Sequence, residues 1–205
     1  MKREIKVTDG IINPEIFKKE KAKLLWILKE PNDEQSEEDW DMCEFLRCRS
    51  KEEKGLFNVP HWPASFGLIC KISWGILKPA KTFDDIYKLD GESFAKILDR
   101  IAFINIKKTA GGSSVNYDTF YKYLEDGTAI KKVFEQIDHI KPHIIMCGST
   151  FQYLYPYLSD SHFDYYKNWI YEDQNIVWIN GYHPNARINH EKYYNDTKGE
   201  LKKYL

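Results

Sequence analysis

Four short apolar runs constrain this chain more than any other feature: "KLLWIL" at 23–28, "IAFINI" at 101–106, "HIIMC" at 143–147 and "IVWIN" at 176–180. Each is continuous rather than alternating, the pattern of strands covered on both faces in a parallel or mostly parallel sheet. Helical spacing falls between them. Phe94, Ile97, Leu98 and Ile101 recur at i, i+3, i+4, i+7 behind Ser93; Tyr117, Phe120, Tyr121 and Leu124 repeat the spacing, as do Ile130, Val133, Phe134 and Ile137 behind Thr128. Strand alternating with helix predicts an α/β fold, a three-layer α-β-α sandwich around a mostly parallel four-stranded sheet. With 205 residues and 42% hydrophobic content, one domain over 1–205 is enough to bury the core.

The stretch 34–92 is less regular. "SEEDWDMCEFLRC" at 36–48 reads as a helix capped by Ser36 with Asp39 in the box position, and "NVPHWPASFG" at 58–67 as a loop, interrupted by two prolines and a glycine. A long excursion after the first strand lies above the carboxyl edge of the sheet and is a place to expect function.

Charge and composition exclude several classes. Thirty Lys and Arg against 31 Asp and Glu leave a net charge of -1, so any nucleic acid must be met by a local patch. No run approaches the roughly 18 apolar residues of a membrane span, and "MKREIKVTDG" lacks the apolar stretch of a signal peptide. A cytoplasmic monomer with no membrane contact is expected. Cys43, Cys48, Cys70 and Cys147 show no C-x-x-C spacing, which favours reduced thiols over disulfides or zinc; no metal and no cofactor are expected.

The strands end alike. The first stops on Lys29-Glu30-Pro31, the second runs into "NIKKTAGGSSVN", the third into "CGSTF" and the fourth into "NGYHPNARIN". In a parallel sheet these ends converge on one edge, where open α/β sheets bind ligands, so Glu30, Asn105 and His183 are expected in one pocket. Each has a plain structural alternative: Glu30 a strand exit, Asn105 a buried amide, His183 a surface loop residue, Gly111-Gly112 an ordinary turn.

Taken in order, "LKEPND" (28–33), "FINIKKT" (103–109), "IIMCGS" (144–149) and "GYHPNAR" (181–187) resemble the motifs of the uracil-DNA glycosylase superfamily. There the first strand ends in a short Asp- or Asn-containing motif at or near a Pro, a middle strand carries an Asn, and the last leads into His-Pro-Ser. The resemblance spans roughly residues 22–190. Glu30 stands where the best-known branch has Asp, Leu28 replaces a glycine and Asn185 the usual serine.

The resemblance implies hydrolysis of the N-glycosidic bond of uracil or a related damaged base in DNA, with bases flipped from the stack. That bond breaks with positive charge growing on the sugar and negative charge on the base. Glu30 then holds the attacking water and stabilises the sugar cation, and His183 donates to the base oxygen. Asn105 reads the pyrimidine edge, Phe66 or Trp62 stacks on the base, and Lys29 and Pro31 flank the substrate. The backbone of the DNA is expected on Lys107, Lys108 and the loop Gly111, Gly112, Ser113 and Ser114, with Asn185 and Arg187 on phosphate and Ile188 as a wedge in the stack. Two other readings stay open. One is a nucleobase or single-strand binding module on the same fold, catalytically weak or inactive; the other is a small-molecule hydrolase or nucleotide-binding enzyme that uses the glycine-serine loop for a free phosphate.

Overall fold

The structure, a computed structural model, describes residues 4–32, 37–52, 64–78, 81–89, 93, 96–112, 114–159 and 169–204. In chain order, β1 (Val7–Thr8), β2 (Gly10–Ile11) and the single turn α1 (Pro14–Phe17) lead into β3 (Leu24–Leu28). Then come β4 (Trp40–Asp41), α2 (Met42–Glu52), α3 (Ala64–Leu77), β5 (Ile101–Asn105), α4 (Tyr117–Leu124), α5 (Thr128–Ile140) and β6 (Ile144–Gly148). The chain ends through α6 (Phe151–Leu154), β7 (Ile170–Asp173), β8 (Ile176–Gly181) and α7 (His190–Leu201).

The four expected strands form a parallel block in the order β5-β3-β6-β8. Two short antiparallel strands close its edges, β2 beside β5 and β7 beside β8, so the sheet has six strands rather than four. A separate parallel bridge joins β1 to β4. Alternate side chains of the central strands enter two cores. Leu24, Trp26, Leu28, Phe103 and Met146 face the layer of α2, α3 and α7, while Leu25, Ile27, Ile104 and Ile145 face Phe17, Phe120, Val133 and Phe151 on α1, α4, α5 and α6. Continuous apolar runs are what burial on both faces demands, and the expectation drawn from them matches this arrangement.

The region after β3 departs from expectation. The helix there begins at Met42, not near Ser36, which lies outside the described residues; Asp41 Oδ1 accepts from Glu44 N at 2.8 Å at its start, and Asp39 instead accepts from Lys6 N. The expected loop over 58–67 runs into α3, which is apolar almost all round: Leu68, Ile69, Ile72 and Ile76 form a buried face, and Phe66, Cys70, Trp74 and Leu77 lie on the other sides. Two contacts fix α3. Trp26 Nε1 donates to Ser73 Oγ at 3.0 Å, and a Cβ at Gly75 would lie 2.5 Å from the ring of Tyr194 on α7. Gly75 therefore lets the two helices touch. In the helix expected behind Ser93, residues 94 and 95 lie outside the described set, and Leu98–Arg100 is a 3-10 turn. Among the described residues no helix is long and apolar enough to cross a membrane.

Candidate functional site

From β3 the chain goes to β5 on one side and then to β6 on the other. That reversal marks a switch point beyond the carboxyl ends of β3 and β6, the place where open α/β sheets bind ligands. Gly148 lies there. A Cβ there would sit 2.2 Å from Leu28 Cδ2 and 3.2 Å from Pro184 Cδ, so the end of β3, the end of β6 and the loop after β8 meet where only glycine fits. Ser149 turns out of β6 with φ +56°; its N donates to Gly181 O and its Oγ accepts from His183 N, both at 2.9 Å. Thr150 Oγ1 donates to Ile27 O at 2.9 Å. The loop carrying His183 is thereby tied to both strands.

His183 is half-buried. Its Nδ1 accepts from Asn185 N at 3.1 Å, a pairing that assigns the ring proton to Nε2. Burial, and then the charge of Lys29, hold its pKa below the ordinary histidine value. The imidazole is a neutral donor at neutral pH.

Lys29 is only 7% exposed. No carboxylate or other hydrogen-bond acceptor among the described residues engages its Nζ, whose nearest recorded partner is the Tyr117 ring at 5.9 Å from the centroid. Burial pulls its pKa below the ordinary lysine value against the opposing pull of Glu30. An unpaired buried ammonium is costly, and such groups concentrate at functional sites.

Glu30 does otherwise. Its Oε2 accepts from Lys107 Nζ at 2.7 Å, with 4% of the Glu30 side chain and 11% of that of Lys107 exposed. A Cβ at Gly111 would lie 2.5 Å from Glu30 Oε1, so that glycine makes room for the carboxylate. Gly111 N donates to the carbonyl of buried Pro31 at 2.8 Å, and Asn32 bridges Gly111 in parallel.

Several expected roles need correction. Lys107 and Lys108 are not free for phosphate: Lys108 Nζ lies 2.6 Å from Asp9 Oδ1. The glycine-serine loop does not aim its first amides at an anion, because Ala110 N donates to Ile5 O and Gly111 N to Pro31 O. Gly112 is half-buried and Ser114 exposed. Asn105 sits at the carboxyl end of β5 as expected, but its backbone N and its Nδ2 both donate to Asp9 Oδ2, at 2.7 and 3.5 Å, and its buried Oδ1 has no partner. Gln136 Nε2 joins the cluster through Asp9 Oδ1 at 3.0 Å. Asn105 is buried, with its Nδ2 held by Asp9 and its Oδ1 open. Phe66 packs on Phe103, centroids 6.0 Å apart, and its ring is partly buried against the core. Ile188 is partly buried against the core, directly before the Asn189 cap of α7. Asn185 and Arg187 are exposed. Trp62 and Ser113 lie outside the described residues.

Among the described residues, open rings at this edge include Tyr182 beside His183, 55% exposed, and Tyr117 and Tyr121 on α4, 49% and 54% exposed and 5.9 Å apart between centroids. Sequence spacing shows Tyr117 and Tyr121 only as a helical face; the signal for them is that both stay uncovered, Tyr117 with its ring centroid 5.9 Å from Lys29 Nζ. Among the described residues no three His, Cys, Asp or Glu side chains group as a metal site. Cys43, Cys70 and Cys147 are free and buried, and burial pushes the Cys43 thiol up to about 12. A concavity lined by Lys21, His143, Glu172 and Lys203 lies at the opposite, amino edge of the sheet. No family model, no curated protein and no solved structure matches this chain.

Proposed function

We propose that the protein is a DNA glycosylase-like hydrolase that cleaves the N-glycosidic bond of uracil or a related damaged base, on a uracil-DNA glycosylase-like α-β-α fold. One observation carries the reading: a neutral His183, with Nδ1 occupied and Nε2–H available, stands at the switch-point crevice together with the unpaired ammonium of Lys29. Breaking the bond between sugar and base sends an electron pair into the base ring and its carbonyl oxygens. A neutral imidazole that donates without giving up its proton suits that developing anion, and the Lys29 charge adds to the same field. Tyr117 takes the stacking role in place of Phe66, since base faces need an uncovered ring. Glu30 acts on the sugar cation as a fixed negative charge rather than as the holder of water, because Lys107 covers it. The outward cation left for DNA is Arg187.

The pairing of Glu30 with Lys107 favours one second reading, a nucleobase or single-strand binding module that lacks the base-removal step. Oligonucleotides with and without uracil, incubated with the protein and then treated with alkali, separate the two. Strand breaks at uracil support the hydrolase; retention of the oligonucleotide without breaks supports the binding module, and neither result removes both.

A further inference from the structure

We propose that Lys29 is an amine nucleophile that forms an imine with the aldehyde carbon of an abasic sugar, giving the crevice a strand-cleaving lyase activity. A lysine that serves only as a positive charge is ordinarily matched to a carboxylate, as Lys107 is to Glu30 and Lys108 to Asp9. Lys29 is not so matched. Its side chain is buried at the carboxyl end of β3, with Nζ 5.9 Å from the centroid of the Tyr117 ring. A desolvated, unpaired lysine is the arrangement that makes an amine nucleophilic toward carbonyl carbon near neutral pH. Its position suits a sugar. Leu28, directly before Lys29, and Pro184, directly after His183, meet over Gly148, so the two backbone segments adjoin, and the charge of Lys29 is felt at His183.

The chemistry balances with water alone. The Lys29 nitrogen lone pair attacks C1′ of the ring-opened sugar, and the carbonyl oxygen takes up protons and leaves as water, with His183 Nε2–H stabilising the oxygen while it is negative. Loss of a C2′ proton to solvent then sends its electron pair into a new C2′–C3′ double bond as the C3′–O bond breaks. The downstream strand leaves with its phosphate. Water hydrolyses the imine and restores the amine.

This inference rests on the reading of the crevice as a nucleoside site, but its test does not require base removal. A single-stranded oligonucleotide carrying one chemically prepared abasic site is mixed with the protein and borohydride, and the adduct is mapped by mass spectrometry. The expected result is a covalent complex at Lys29, absent from Lys29→Met, and strand cleavage at the abasic site when borohydride is left out. Circular dichroism and urea unfolding confirm that Lys29→Met is folded. No adduct, an adduct on another lysine, or an equal yield from Lys29→Met overturns the proposal. Trapping without uracil release leaves the lyase standing and removes the glycosylase reading; uracil release without trapping does the reverse.

Discussion

Removing Lys107 tests whether Glu30 is committed to its ion pair or available to the crevice. Lys107→Met leaves a carboxylate of 4% exposure pressed against Gly111 with its cation gone. Because both partners are well below a third exposed, the pair behaves as a buried one. Breaking such a pair costs about 3–5 kcal/mol, whereas an exposed pair is worth about 1 kcal/mol or less. The double variant Glu30→Leu with Lys107→Met removes both charges and is expected to recover a large part of that loss, because the penalty comes from the stranded carboxylate. A coupling within about 0.5–3 kcal/mol is the scale for side chains in direct contact. Urea unfolding at neutral pH, with an unchanged m-value, reads all four corners of the cycle. A loss under about 1 kcal/mol for Lys107→Met, with additive effects in the double variant, would refute the reasoning. Glu30 would then be solvated and free to hold a water molecule.

Gly148→Ala places a methyl 2.2 Å from Leu28 Cδ2; overpacking of about 1–3 kcal/mol is expected as a lower melting temperature, together with a displaced His183 loop and reduced uracil release. Lys29→Met is expected to stabilise the protein at neutral pH by about 1–3 kcal/mol, since a buried ammonium without a partner is replaced by an apolar chain of similar length. Lys29 is depressed below its unfolded value of 10.5, so the unfolded chain binds the extra proton and the wild type gains stability as pH rises through that window; the advantage of Lys29→Met in urea must therefore shrink toward pH 10.5 and vanish above it. His183 is depressed below 6.5, so stability present above 6.5 is lost as pH falls from there through the folded pKa, a slope that His183→Gln should flatten in melting curves taken at several pH values. In Lys29→Met the His183 resonance should titrate nearer 6.5, because one of the two causes of its depression is gone, and an unmoved titration would show that Lys29 does not face His183.

The parallel block was legible in the sequence because a strand covered on both faces has nowhere to put polar residues, so β3, β5, β6 and β8 stand out as unbroken apolar runs. The edge strands β2 and β7 were not. The two residues of β2 and the partly exposed pattern of β7 carry no such run, and they join the sheet by backbone bonds that any sequence can make. Helix α3 escaped for a related reason, since its apolar residues surround it instead of forming a stripe, and the two prolines that precede it in sequence, with Gly67 in its first turn, read as a loop.

The same division holds at the site. That Glu30, Asn105 and His183 lie at strand ends on one edge follows from strand direction, which the order of runs and helices carries by itself. What each side chain does there depends on partners far along the chain. Lys107 meets Glu30 across 77 residues, Lys108 meets Asp9 across 99 and Asn105 meets Asp9 across 96, while Lys29 meets no carboxylate among the described residues. Five lysines and carboxylates of similar appearance in the sequence thus become two closed pairs and one lysine without a carboxylate among the described residues. Which of them pairs is a matter of distances of under 3 Å inside a low-dielectric interior, where a carboxylate within reach neutralises a lysine and its absence leaves the charge without a counter-ion. Local sequence sets the type and direction of an element; only the packing of elements sets those distances.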